Sequence, residues 1–153
     1  MQFVQAFSHH NAQEQWRNRE LDEWLTDVFE LPDLDVGPRC TTAIRDHVKT
    51  ELAKEGWAYD VRIDQGFDLT VFGMKDDLAF HLQTGNISRA AYDLLKLQHL
   101  FHAKRIEAAA LAVPTKLAAN RIGSNVANYE RIMAELQLFS RVITVPIFLI
   151  GFE

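Results

Sequence analysis

The sequence contains a single cysteine, Cys40, so no internal disulfide can form. No apolar run approaches the roughly 18 residues that a membrane-spanning helix needs. The opening stretch, MQFVQAFSHHNAQEQW, lacks the charged head and apolar middle of a secretory leader. A cytoplasmic protein with no membrane attachment is therefore the expectation. No glycine loop of the phosphate-cradling kind occurs. Repeats and low-complexity tracts are also missing, so residues 1–153 are expected to form one domain around one core. With 48% hydrophobic and 24% charged residues, the composition is that of a globular chain rather than a disordered one.

Excess positive charge is lacking too. The net charge is −5, which argues mildly against a general nucleic-acid binder. Its distribution is uneven. Residues 1–85 hold 8 basic and 16 acidic side chains, whereas residues 86–153 hold 8 basic and 5 acidic ones. A DNA-facing side can be built from the second half while the rest stays acidic.

Apolar periodicity supplies the elements. A helix is expected over 11–30, where Leu21, Trp24, Leu25 and Val28 recur at helical spacing after Asn11 and Glu14, a capping-box pair. Residues 33–38 read as a loop. A second helix is expected over 42–55, with Ile44, Val48 and Leu52 on one face and Gly56 ending it. Strands are expected over 57–63, 67–72 and 78–83, the last two forming a hairpin around 73–77. Phe67, Leu69 and Val71 would share one face, opposite Asp68 and Thr70. Leu78, Phe80 and Leu82 would share another, opposite His81 and Gln83. Beyond these come a helix over 88–104, a buried strand over 108–113, a loop over 115–124, a helix over 126–139 and a strand over 142–150. Pro146 in that last strand suggests an edge, a bulge or a strand start. The order implies an α/β fold with a mixed central sheet flanked by helices.

One constellation in this frame carries chemistry. Asp68 on one hairpin strand, with His81 and Gln83 at alternate positions on the next, can converge on a cation. Cutting a phosphodiester calls for a metal-activated water and neutralisation of the phosphate charge. The hard ion Mg²⁺ prefers oxygen ligands in octahedral geometry.

The sequence from His81, HLQTGNISRAAYDLLKLQ, is followed by AAALAVPTK, GSNVANYERI and ITVPIFLIGF. These segments, in this order and after FSHHNAQEQW, resemble the Bgl-type branch of type II restriction endonucleases, in the PD-(D/E)xK nuclease superfamily. The resemblance covers nearly the whole chain and implies a restriction-endonuclease-like core. It makes Asp68 the metal-binding aspartate and puts Gln83 where the branch has a glutamine facing the attacking water. His81 stands where the family has a glutamate. A neutral imidazole there removes a negative charge, binds Mg²⁺ poorly and favours softer ions such as Mn²⁺ or Zn²⁺. Asp76 and Asp77 are either compensating ligands or solvated turn residues. Glu51, on the preceding helix, is either the acidic residue that completes the site in several relatives or a surface glutamate.

The same resemblance implies a homodimer acting on double-stranded DNA with Mg²⁺ or Mn²⁺, at a short, GATC-centred palindrome whose two-fold symmetry matches the protein's. Asn86, Ser124 and Asn125 fall in the polar loops that enter the DNA grooves in that branch. Asparagine can pair with adenine through two hydrogen bonds. These residues serve equally well as a turn residue and helix caps. Lys116, Arg121 and Arg131 are candidate phosphate contacts or solvated charges. His9-His10 and His99-x-x-His102 lack a third ligand and are expected to be surface or packing residues. Trp16, Trp24 and Trp57 are expected in the core. Two further functions stay open: a sequence-specific DNA-binding protein that has lost cutting through His81, and a protein-interaction module on the same fold.

Overall fold

The computed structural model describes residues 1–153. Six strands form one mixed sheet: β1 (Phe3–His9), β2 (Ala58–Arg62), β3 (Thr70–Lys75), β4 (Leu78–Leu82), β5 (Ala108–Pro114) and β6 (Ile147–Phe152). Their order across the sheet is β1-β6-β5-β4-β3-β2. The central strands β4, β5 and β6 run parallel, and antiparallel partners flank them on both sides.

The helices divide between the two faces. On one side lie α1 (Ala12–Arg17), α2 (Asp22–Asp27), α3 (Thr41–Lys54) and α5 (Lys116–Ile122); on the other lie α4 (Ala90–His102) and α6 (Tyr129–Leu138). The period of two along the strands accounts for this. Leu78, Phe80 and Leu82 of β4 enter the first core with Trp16, Ile44 and Leu52, while Ala79 turns to the second with Leu94 and Leu97. In β5 the residues facing the first core are all alanine: 108, 110 and 112. Their small size lets Trp16 lie close to the sheet, where its indole N–H donates to the Ala109 carbonyl at 3.2 Å. Trp57 stacks between Trp16 and Trp24, at centroid distances of 5.8 and 6.1 Å.

Several elements depart from the sequence pattern. The expected helix over 11–30 is two short helices, interrupted where Glu20 takes a φ of 58°. An edge strand, β1, precedes them. Polar Gln5 and Ser8 break its apolar pattern, and Val4 is left exposed, so no period of two marks it. His9 and His10 pin its end, donating to the carbonyls of Ile143 and Ser140 at 2.7 and 2.8 Å. The loop expected over 115–124 contains α5, capped by Thr115, whose hydroxyl accepts from the Ala118 N–H. Strand β6 begins after Pro146 and is central, so Pro146 marks a strand start rather than an edge.

Candidate functional site

The two β3–β4 strands are joined by a two-residue turn, Asp76-Asp77, and pair through Lys75–Leu78, Met74–Ala79 and Gly73–Phe80. Beyond Phe80 the strands part. The next rung is made by a side chain: the Phe72 backbone N–H donates to His81 Nδ1 at 3.3 Å. At this fork opens a polar cleft of about 530 Å³, between the first turn of α3 and the start of α4, with His81, Gln83, Asp93 and Lys96 at its base. It lies at the carboxyl end of the parallel strand β4.

Asp93 is the hub. Its buried carboxylate accepts from His81 Nε2 at 3.1 Å, from Lys96 Nζ at 2.7 Å and from the Gln83 amide. Burial by itself would raise its pKa. The His81 hydrogen bond and the Lys96 charge more than offset this and hold it below the ordinary carboxylate value. Burial pushes the His81 imidazole below its usual value, outweighing the pull of Asp93 in the other direction. The hydrogen bonds fit that neutral form. Nδ1 accepts from Phe72, so the single ring proton lies on Nε2 and points to Asp93. Gln83 is fully engaged as well: its amide donates to Asp93 and its carbonyl accepts from the Gly85 N–H at 2.7 Å.

The sequence candidates distribute unevenly over this geometry. His81, Gln83 and Asn86 line the cleft. Asp68 does not. The pairing of β3 begins at Thr70, so Asp68 lies in the preceding loop, 91% exposed, beside Arg62 at 3.4 Å. The side chains that β3 presents to the cleft are Thr70 and Phe72. Glu51 also stays outside, paired with Lys54 at 2.7 Å. Asp77 lies at the far end of β4, where Arg19 bridges it to Glu107. Neither turn aspartate reaches the cleft.

The second group of candidates comes together. Asn86 forms an isolated antiparallel bridge with Val126, the Ile87 N–H donates to the Asn125 carbonyl at 2.8 Å, and the Ala127 N–H donates to Gly85 at 2.9 Å. The Asn86 loop and the Ser124–Asn125 loop thus form one exposed polar ridge at the cleft's rim. Asn86 accepts from the Ser88 N–H and starts a single 3-10 turn before α4. The cap of α6 is Asn128, accepting from Arg131, rather than Ser124 or Asn125. Asn125 instead occupies a left-handed turn with φ 59°, a conformation asparagine tolerates better than most residues. Lys116 is exposed, just past the end of β5. Arg121 faces a separate depression among Glu30, Asp35 and Glu153, and Arg131 pairs with Glu135.

Asp93, Lys96, Arg45 and Arg89 carry most of the cleft's charge and were not singled out from the sequence. Asp93 did leave a signal. It falls within the apolar stripe Ala90, Leu94, Leu97, Leu100 of α4, a place where a lone carboxylate needs a buried partner. The partner, Lys96, follows at helical spacing of three.

The donor set does not fit Mg²⁺. No group of three or more His, Cys, Asp or Glu side chains is placed to hold a metal ion. Both ring nitrogens of His81 and both oxygens of Asp93 are already engaged. Asp60, the other carboxylate at the cleft, pairs with Lys49 at 2.7 Å. Neither carboxylate of the cleft is therefore free to serve as the anionic ligand that Mg²⁺ usually takes from a protein.

The mixed sheet with helices on both faces, and the polar cleft where β3 parts from its antiparallel partner β4, define the α/β class of the protein. The restriction endonuclease BglII/BglIII family profile matches residues 4–152. The chain belongs to this family. Among solved structures, restriction endonuclease BglII complexed with a DNA 16-mer matches with a TM-score of 0.81 at 18% identity, over 100% of this chain and 78% of that one. Free BglII matches with a TM-score of 0.74 at 19% identity, over 100% of this chain and 80% of that one. No curated protein matches the chain in sequence.

Proposed function

We propose that this protein reads a short palindrome in double-stranded DNA, as a homodimer, without Mg²⁺-dependent hydrolysis. One observation carries the reading. The joined ridge of Asn86, Ser124 and Asn125 stands at the rim of a cleft in which Arg45 and Arg89 have no acidic partner. Unpaired guanidinium groups suit phosphate oxygens, and exposed amides beside them suit base edges. Lys116, exposed past the end of β5, would add a backbone contact. A GATC-centred target follows from the family resemblance. Phe67, Tyr92 and Leu95 form an exposed apolar group in one depression, a face of the kind two copies can share.

The second reading is the family's own activity: a site-specific endodeoxyribonuclease. Family membership along nearly the full chain favours it, as does Gln83 at the base of the cleft. In that case His81 and Gln83 would have to leave their present partners before acting on water or metal, and Asp68 and Glu51 would have to move into the cleft.

The test is incubation of the protein, and in parallel His81→Glu, with plasmid DNA rich in short palindromes, in Mg²⁺ and then Mn²⁺. Binding is followed by a labelled duplex. The expected result is a salt-sensitive shift of the duplex with no cutting by the natural protein. Discrete fragments from the natural protein would establish the endonuclease instead. Neither cutting nor a shift would leave an interaction module on the same fold.

A further inference from the structure

The cleft contains a cation of its own. Lys96 sits on the α4 side with its ammonium group 2.7 Å from Asp93 and 2.9 Å from the Thr70 carbonyl, which accepts from it. Its side chain is 11% exposed, so the charge is held between two oxygens rather than swung in solvent. Three features around it point the same way. Arg45 reaches the cleft from the first turns of α3, with its guanidinium 4.9 Å above the Phe72 ring, and makes no ion pair. Arg89, at the head of α4, is exposed at the rim and makes none either. Both acidic side chains of the cleft are already matched, Asp93 by Lys96 and Asp60 by Lys49. The lining therefore ends with two uncompensated positive charges, in a site where no carboxylate is free for a metal.

We infer that Lys96 stands in for the divalent ion, so that the cleft holds a DNA phosphodiester with protein charges alone. This rests on the DNA-binding reading above and adds to it how the phosphate is neutralised. Lys96 is the fixed base of the site, and Arg45 and Arg89 are the two arms that close on the phosphate oxygens. Phe72 has a part in this as well. Its ring supports the Arg45 guanidinium face, a contact that orients a cation without neutralising it. Binding should then be indifferent to chelators, and a divalent ion should compete with the protein for the phosphate rather than bridge the two.

The experiment uses the full chain and a fluorescently labelled pool of duplexes containing short palindromes, titrated by anisotropy in EDTA and in Mg²⁺ at matched ionic strength. The expected affinity is equal or higher in EDTA. Arg45→Gln should weaken binding about tenfold, and should lower the salt slope of log Kd by about one, as expected for one lost phosphate contact. Lys96→Met should weaken it at least as much. Because this variant can also disturb Asp93, its fold is checked by circular dichroism, and Arg45→Gln provides the measurement that does not touch the buried pair. Duplex binding that requires Mg²⁺ would overturn the inference and leave DNA binding standing. Unchanged affinity and salt slope in Arg45→Gln would also overturn it. No binding in either buffer would refute the DNA reading and this inference together.

Discussion

Replacing Asp93 with alanine leaves three donors in the base of the cleft without their acceptor. The Lys96 ammonium keeps only the Thr70 carbonyl, His81 Nε2–H keeps nothing, and the Gln83 amide loses its partner. Asp93 is 5% exposed, so water does not readily take its place. Removing one member of a buried ion pair costs about 3–5 kcal/mol, because the surviving charge is left uncompensated. For a chain of this size that lowers the melting midpoint by on the order of 10 °C. Urea unfolding followed by circular dichroism at neutral pH measures the loss, provided the m-value is unchanged. The double variant Asp93→Ala with Lys96→Met removes both charges and should be more stable than Asp93→Ala alone. A loss below about 1 kcal/mol in the single variant, the size typical of an exposed pair, would refute the burial argument. A double variant no better than the single one would show that the Lys96 charge is not what makes the loss large.

Three other outcomes follow from the same structure. Gly151→Ala in central β6 would place a Cβ 2.8 Å from Tyr129 Cδ2, and overpacking of that kind should cost about 1–3 kcal/mol in a melt. His81 and His9 are both held below the ordinary histidine value of 6.5, by burial first of all. An unfolded chain gains protons below 6.5 that the folded chain resists, so stability should be full above 6.5 and should decline as pH falls, with a further loss below 3.8 from Asp93; urea midpoints across this range check it, and a flat profile from neutral pH down to about pH 5 would contradict it. Asn125→Gly keeps a residue at ease with φ 59° and removes the amide, so stability should stay within about 0.5 kcal/mol. Competition between specific and random duplexes should nevertheless lose about 1–3 kcal/mol of discrimination.

How much of this was visible before the structure depends on where each signal resides. Strand β4 was legible because the large residues Leu78, Phe80 and Leu82 fall at alternate positions, with small Ala79 and polar His81 between them, and helix α4 follows with a dense leucine stripe. Strand β1 was not, because an edge strand needs only one face against the core and can mix Gln5 and Ser8 among its apolar residues. Helix α5 was hidden by its shortness; seven residues carry too few turns for a period to show. The His81–Gln83 pair and the two polar loops are each local in sequence, and the fold places the pair in the cleft and joins Gly85–Ile87 to Asn125–Ala127 by backbone bonds.

The position of Asp68 outside the cleft has a more general cause. Alternation assigned the strand to 67–72, but alternation alone does not fix where pairing begins. The Asp64–Gly66 turn is closed by the Asp64 side chain accepting from Gly66, and Ile63 then donates to Leu69, so regular pairing of β3 starts only at Thr70. The residues of β3 that line the cleft are therefore Thr70 and Phe72, neither of them a carboxylate. His81 is consistent with that lining. Opposite an aspartate and a metal, a glutamate at position 81 would share the cation. Opposite Phe72 and 3.1 Å from Asp93, a glutamate would meet a second carboxylate with only Lys96 between them. A neutral histidine that donates to Asp93 avoids that repulsion. His81, Phe72, Asp93 and Lys96 thus form one connected set of contacts, in which the cation at the base of the cleft is a lysine of the chain itself.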